Sequence, residues 1–163
     1  ALHLRAQGVG QGDRVAAYLP NVPEAAIAFL AVASIGGVWS LCSPDMGTNA
    51  VLDRFRQIEP KVLIACDGVH YGGRDLDRRA VVADMRAALT SVTHVLLCRE
   101  LGLPTGGVPF DADLADAMAS EGEAVQAFEP AWLPFEHPLW IVYSSGTTGL
   151  PKGVMLTHDN IYS

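Results

Sequence analysis

The sequence predicts an α/β fold in which a mostly parallel sheet carries helices on both faces. Short apolar runs of strand length alternate along the chain with longer segments whose apolar residues recur at helical spacing. Clusters of Gly, Pro and Asn separate these segments. Half of the 163 residues are hydrophobic, which is enough for one buried core. Because strands that alternate with helices pair as parallel neighbours with right-handed crossovers, helices come to lie on both faces of such a sheet.

Each element of the first half has a local signal. Residues 1–5 read as the end of a helix. Pro23 suits the first turn of a helix that Asn21 can cap, and Pro60 stands just after the end of the next helix. The predicted order is a strand over 13–19, a helix over 21–35, a strand over 38–42, a helix over 49–58 and a strand over 62–66.

The second half continues the alternation. A polar stretch over 121–136 is irregular, and we expect it to lie on the surface. Residues 157–163 read as the start of a helix, with Thr157 or Asp159 as its cap. The predicted order is a helix over 75–89, a strand over 92–98, a loop over 102–109, a short helix over 111–119, a strand over 139–143 and a short strand over 154–156 that pairs back on it.

One uncharged stretch, residues 25–44, approaches the length of a membrane span. Gly36 and Gly37 interrupt it in the middle, and no basic flank follows it. We therefore interpret the stretch as a buried helix followed by a buried strand, and we expect no membrane partner.

The segment with the most chemistry runs from Tyr143 to Gly153 and reads Tyr-Ser-Ser-Gly-Thr-Thr-Gly-Leu-Pro-Lys-Gly. Its glycines allow successive backbone N–H groups to point at one spot, its hydroxyls are further donors, and its lysine is a mobile positive charge. It follows a strand end, where ligands bind in open α/β sheets. We name this segment the phosphate loop, because these groups suit a polyphosphate. The predicted binding residues are Ser144, Ser145, Gly146, Thr147, Thr148, Gly149 and Lys152.

The phosphate loop differs from two common nucleotide-binding patterns and from a simple linker. The Walker pattern fails because Pro151 or Val154 stands where its second glycine belongs. The dinucleotide pattern that Gly8 and Gly10 begin fails at Asp13. A flexible Ser/Gly linker would not be expected between two apolar runs.

The phosphate loop resembles, at every position, the phosphate-binding signature of the adenylate-forming (AMP-binding) superfamily, which includes acyl-CoA synthetases, luciferases and the adenylation domains of peptide synthetases. The resemblance implies that residues 1–163 are a fragment of the large N-terminal domain of such an enzyme, with the C-terminal domain absent. It also implies a two-step ligase that uses ATP, Mg²⁺ and CoA. The adenine pocket and the catalytic lysine would then lie outside this chain, so no residue here is assigned a catalytic role and the fragment alone is expected to be inactive.

Two further stretches indicate the branch of the superfamily. The stretch 36–61 contains Gly-Gly-Val-Trp-Ser-Leu-Cys-Ser-Pro-Asp and later Val-Leu-Asp-Arg-Phe-Arg-Gln-Ile-Glu-Pro-Lys, and it resembles the acetoacetyl-CoA synthetases, as does His-Pro-Leu-Trp at 137–140. The residues after Lys152, Gly-Val-Met-Leu-Thr-His-Asp-Asn, resemble instead the medium- and long-chain or aryl acyl-CoA ligases. These acids remain alternative substrates to acetoacetate, and a non-catalytic nucleotide- or acyl-binding module is the alternative from another class.

Charge and cysteine content limit the partners. A net charge of −7 argues against binding nucleic acid or an anionic membrane. It does not argue against ATP, which a local site binds. The odd number and wide spacing of Cys42, Cys66 and Cys98 indicate small buried side chains rather than a disulfide or zinc framework, and the scattered histidines predict no metal site. We expect a cytoplasmic protein whose partners are a small carboxylic acid, ATP and CoA.

Three polar residues are weaker candidates. Asp45 follows a predicted strand end and fits a turn, with a role facing the nucleotide or CoA as the alternative. Asp53 and Arg54 lie on a predicted helix, and Arg54 could pair with Glu59 or with a neighbouring element. A structural or solvated ion pair is the simpler interpretation for both.

Three ring-bearing residues complete the candidates. Trp39 and Trp140 stand in apolar runs and are expected in the core, with an aromatic wall for the acyl group as the alternative. His158 fits equally a helix start and a position near the acyl or phosphate group.

Overall fold

The computed structural model describes residues 1–145 and 149–162. The strands of this part are β1 (Arg14–Tyr18), β2 (Val38–Cys42), β3 (Val62–Cys66), β4 (Gly68–Tyr71), β5 (Arg74–Asp77), β6 (His94–Cys98), β7 (Ala112–Asp113), β8 (Pro138–Ser144) and β9 (Lys152–Thr157). Its helices are α1 (Leu2–Ala6), α2 (Pro23–Ser34), α3 (Thr48–Phe55), α4 (Arg79–Ala88), α5 (Leu114–Met118), α6 (Glu123–Gln126) and α7 (His158–Tyr162).

Most strands form one sheet, in the order β7-β6-β3-β1-β2-β8-β9 among the described residues. Every neighbouring pair in this sheet is parallel except β8 and β9, which are antiparallel. The predicted mostly parallel α/β sheet is therefore confirmed. β2 and β3 lie on opposite sides of β1, so the order in which successive strands are added to the sheet reverses after β2.

Two apolar cores lie against opposite faces of the sheet. One contains Val51 and Phe55 of α3 together with Val82 and Met85 of α4. The other contains residues of α1, α2 and α5, namely Leu4, Val32 and Leu114. The prediction of helices on both faces is thus confirmed, and it explains why β1 and β3 read as continuous apolar runs: both their faces are buried.

The helix predicted over 75–89 is wrong in its first turn. Residues 74–77 are β5, which pairs with β4 in an antiparallel hairpin, and the helix starts only at Arg79. Gly72 and Gly73 connect the two strands with φ angles of +59° and +78°. Positive φ at both central residues is the geometry of a two-residue hairpin turn, which glycine adopts without a steric penalty.

Smaller differences occur at other element ends. The short helix predicted over 111–119 is α5 alone, because residues 112–113 extend as β7 beside β6. The helix predicted over 49–58 begins one residue earlier and ends at Phe55. The stretch over 121–136 contains α6 but is otherwise irregular and mostly exposed, as predicted.

The uncharged stretch 25–44 divides as predicted between α2 and β2. Gly36, with a φ of +78°, turns the chain between them. No helix among residues 1–145 and 149–162 is both long enough and apolar enough to cross a bilayer.

Candidate functional site

The phosphate loop joins two antiparallel strands at one side of the sheet. β8 lies parallel to β2, with Trp39 opposite Trp140, and the loop leaves β8 at its carboxyl end. β9 then returns beside β8, which confirms the short strand predicted to pair back over 154–156. In this register Ser144 is opposite Lys152, so the last residue of β8 and the first of β9 stand side by side where the loop begins and ends.

The predicted binding residues that the structure describes are accessible. Ser144, Ser145, Gly149 and Lys152 are all exposed. Gly149 has a φ of +148°, and an added Cβ would meet no atom within 4 Å. The conformation, rather than lack of space, therefore favours glycine at this position. Gly146, Thr147 and Thr148 lie outside the described residues.

Tyr143 fixes the start of the phosphate loop to α3 and β2. Its hydroxyl donates to the carbonyl of Arg54 at 3.1 Å and lies 3.2 Å from the hydroxyl of Ser40, which is fully buried. The Arg54 guanidinium lies 5.8 Å from the centre of the Tyr143 ring. Burial raises the pKa of Tyr143 to about 12, so the phenol keeps its proton and remains a donor at neutral pH.

Gln57, just beyond α3, contacts the other end of the loop. Its Nε2 donates to the carbonyls of Pro151 and Asp53, each at 2.7 Å. Its Oε1 accepts from the backbone N–H of Gly153 at 3.3 Å. Pro151 and Gly153 flank Lys152, so one side chain holds the backbone on both sides of the predicted phosphate-binding lysine.

A second loop at the carboxyl ends of the strands, residues 43–47, follows β2. Its backbone is fixed by Tyr18, whose hydroxyl lies within hydrogen-bonding distance of the carbonyls of Pro44 and Met46, and by Arg78, which donates to the Pro44 carbonyl at 2.6 Å. Burial raises the pKa of Tyr18, so this phenol also stays a donor. Asp45 is exposed in the same turn, as its simpler interpretation predicted.

The helix residues Asp53 and Arg54 have structural contacts. Arg54 donates to the carbonyl of Ala50 at 2.6 Å and stacks its guanidinium near Tyr143, so its contact is with a neighbouring element. Glu59 instead has a positive φ of 45°, and its carbonyl accepts from Arg14. Asp53 contributes its carbonyl to Gln57.

Trp39 belongs to the core, and Trp140 is partly buried against it. Trp39 is 1% exposed, and both Trp39 and Trp140 pack against the ring of Phe29. These contacts account for both rings without an acyl ligand. The expectation that the three cysteines are buried is confirmed, and burial raises the pKa of each thiol to about 12.

His158 begins α7, next to His137. The ring centres lie 6.1 Å apart, and His137 Nε2 donates to the carbonyl of Gly36 at 2.8 Å. His158 Nε2 is buried without a hydrogen-bond partner among the described residues. Burial, and secondarily the nearby His137, lowers the pKa of His158, so its imidazole is neutral at physiological pH.

One structural carboxylate has no signal in the sequence. Asp67 is fully buried at the end of β3, and its two oxygens accept from the backbone N–H groups of Leu101 and Leu103 at 3.0 and 2.7 Å. A single Asp after an apolar run predicts no such contact, because its partners lie more than thirty residues away in the chain. Among the described residues, no group of three His, Cys, Asp or Glu side chains is arranged to hold a metal ion.

Comparison with known proteins decides the family. The sequence profile of the AMP-binding enzymes matches residues 1–163. The chain belongs to the AMP-binding enzyme family. The resemblance to the AMP-binding superfamily is thereby confirmed, and so is the α/β fold of an AMP-binding enzyme.

Several relatives at 40% identity or more carry acetoacetyl-CoA synthetase names. The acetoacetyl-coenzyme A synthetase of Rhizobium meliloti (strain 1021) is 46% identical over 93% of this chain and 23% of its own length. The acetoacetyl-CoA synthetase of Mus musculus is 43% identical over 93% of this chain and 23% of its own. The solved acetoacetyl-CoA synthetase of Streptomyces lividans superposes with a TM-score of 0.89 at 45% identity, covering 98% of this chain and 24% of that one. The chain thus spans about a quarter of the length of these relatives.

Proposed function

We propose that the protein to which this chain belongs is an ATP-dependent acid–thiol ligase that forms acetoacetyl-CoA through an acyl-adenylate. The observation that carries the proposal is the phosphate loop, which leaves a parallel strand at its carboxyl end and brings Lys152 opposite Ser144, in a chain 46% identical to an acetoacetyl-CoA synthetase. Residues 1–163 are then part of a larger N-terminal AMP-binding domain, and a C-terminal domain lies outside them.

The first step is adenylation. A carboxylate oxygen of the acid attacks the α-phosphorus of ATP, and the bond from that phosphorus to the bridging oxygen breaks to release pyrophosphate. Charge develops on the leaving oxygens. In this proposal the exposed hydroxyls of Ser144 and Ser145 and the ammonium of Lys152 bind the β- and γ-phosphates and stabilise that charge, together with the predicted binding residues Gly146, Thr147, Thr148 and Gly149.

The second step is thioester formation. The CoA thiol, after losing its proton to solvent, attacks the acyl carbon of the adenylate as the thiolate, and AMP leaves with the electrons of the broken acyl–phosphate bond. No residue of the described ranges is assigned to this step. Lys152 is a binding residue in the proposal, distinct from the catalytic lysine that the family resemblance places outside the chain.

Mg²⁺ would bind together with ATP. The described hydroxyls and the lysine suit phosphate oxygens, whereas no group of three or more His, Cys, Asp or Glu side chains among the described residues is arranged for the ion. When bound to the nucleotide, Mg²⁺ neutralises part of the phosphate charge. The reduced, buried cysteines are typical of a cytoplasmic protein, and we propose that compartment.

The acid substrate can be identified by a comparison of four acids. The full-length protein would be assayed for acid-dependent exchange of pyrophosphate into ATP and for acyl-CoA formation, with acetoacetate, acetate, octanoate and a cinnamate-type acid. We expect the highest kcat/KM for acetoacetate. A site that hydrogen-bonds the 3-oxo oxygen discriminates strongly against acids without that oxygen, whereas a hydrophobic pocket discriminates only weakly against one extra or missing methylene.

The remaining outcomes of this assay identify different functions. A higher kcat/KM for octanoate or the aromatic acid would make the residues after Lys152 the better guide to the branch. The amide of malonate belongs in the same panel, because a malonamoyl-CoA synthetase of Penicillium aethiopicum is 36% identical over 93% of the chain. ATP binding without exchange for any acid would favour a non-catalytic binding module.

A further inference from the structure

The last turn of α3 and the residues after it contact both ends of the phosphate loop. The Arg54 carbonyl accepts from Tyr143, the residue where the loop begins. Gln57 bridges Pro151 and Gly153, where the loop ends. The two contacts join segments about ninety residues apart in the chain. The loop is therefore attached at both ends to the same short segment, residues 54–57.

The contact at Gln57 uses every polar atom of its side-chain amide. Its two N–H groups go to the carbonyls of Asp53 and Pro151, and its oxygen goes to the N–H of Gly153. The Asp53 contact fixes the side chain against its own helical turn. A carboxylate could accept from Gly153 but could not donate to Pro151, and a hydrocarbon could do neither. An amide at this position is thus matched to the loop backbone.

We propose that Gln57 is a positioning residue that sets the place of Lys152 by fixing the backbone on both sides of it. The inference rests on the proposed phosphate-binding role of Lys152. The proposed role requires no contact of Gln57 with the phosphates or the acid. Gln57 restricts the backbone conformations of Lys152 to those that place the ammonium near the phosphates. Loss of the Gln57 side chain therefore weakens the contact of Lys152 with the nucleotide.

The first test measures the loop directly in the full-length protein. Hydrogen exchange by mass spectrometry would follow peptides that cover residues 149–155 in the wild type, Gln57→Ala and Gln57→Glu. We expect faster exchange in Gln57→Ala by about fivefold or more, since a protecting contact is lost. Gln57→Glu keeps the acceptor for Gly153 and should lie between the two. Gln126→Ala, at an exposed glutamine on α6, is the matched control. Exchange in Gln57→Ala equal to that of the wild type overturns the proposal.

The second test separates positioning from a general loss of stability. In pyrophosphate exchange, Gln57→Ala should lower kcat/KM for ATP about tenfold, mainly through KM. In a Lys152→Ala background the same change should cost less than about twofold, because the lysine that Gln57 positions is gone. An equal loss in both backgrounds would show that Gln57 acts independently of Lys152 and would overturn the positioning role.

The two tests also distinguish this inference from the proposed function. If acetoacetate gives no exchange but another acid does, the double-variant comparison is made with that acid. If no acid supports exchange, the proposed function fails while the hydrogen-exchange comparison still decides whether Gln57 fixes the loop.

Discussion

At the scale of single residues, Lys152 and Gly149 contribute to the phosphate loop in different ways. Lys152 supplies charge on an exposed side chain. Gly149 supplies a backbone conformation, with a φ of +148° and open space around its Cα. Replacing Lys152 by a neutral residue should weaken an electrostatic contact with the leaving phosphates. Replacing Gly149 by a residue with a Cβ should strain the backbone without any steric clash.

These roles predict distinct effects on adenylation in the full-length protein. Lys152→Ala should remove about 2–4 kcal/mol of transition-state stabilisation and so slow acid-dependent pyrophosphate exchange. Lys152→Arg should recover part of the lost exchange rate. Gly149→Ala should add about 1–3 kcal/mol of backbone strain, because φ at this position is positive, and should slow the same exchange. Gly106→Ala, where φ is not positive and a Cβ meets no atom within 4 Å, is the matched control. Exchange rates unchanged in both loop variants would remove the proposed role of the loop.

At the scale of elements, Asp67 shows how a loop is fixed by one buried carboxylate. It joins the end of β3 to the backbone of residues 101–103, which follow β6. Both acceptor oxygens are used, so an amide at this position would place an N–H group against a backbone N–H. The contact stabilises the carboxyl edge of the sheet on the side away from the phosphate loop.

The stability of that edge is therefore expected to depend on Asp67. Asp67→Asn should lower the free energy of unfolding by about 1–3 kcal/mol, because one partly buried backbone N–H loses its acceptor at the fully buried Asp67 side chain. Asp116→Asn, at an exposed position on α5, should have an effect within about 0.5 kcal/mol. Thermal and urea unfolding of the full-length protein would measure both. Equal midpoints for the two variants would contradict the anchoring role.

The elements also show how far sequence reasoning reached. The alternation of apolar runs predicted most strands and helices of the parallel sheet, and a glycine-rich loop between two apolar runs predicted the β8–β9 pair. The β4–β5 hairpin was missed although Gly72-Gly73 is a turn signal, because the charged residues after it fit a helix surface equally well. The Gln57 contacts could not be predicted, since they join residues 94 and 96 positions apart. Periodicity likewise says nothing about which strands become neighbours.

At the scale of the whole molecule, the strand order leaves β9 at an edge of the sheet. Among the described residues β9 pairs with β8 alone. The N–H groups of Gly153 and Thr157 donate to the side chains of Gln57 and Asn160, but no second strand of the described residues pairs with β9. Val154 and Met155 are 44% and 53% exposed. Further exposed apolar side chains lie nearby in sequence: Leu150, Ile161 and Tyr162. An exposed edge strand with apolar side chains is a template for association with another chain.

Residues 1–163 expressed alone should therefore associate through β9. Sedimentation velocity over a wide range of concentration should show a monomer that converts to larger species. Met155→Lys should shift that equilibrium towards the monomer, because a charge on an edge strand opposes pairing. Met118→Lys, at an exposed methionine on α5, carries the same change of charge away from the edge and should leave association as it is. Association that Met155→Lys and Met118→Lys reduce equally would show that net charge, and not the β9 edge, governs it; a monomer at every concentration would show that the edge does not pair.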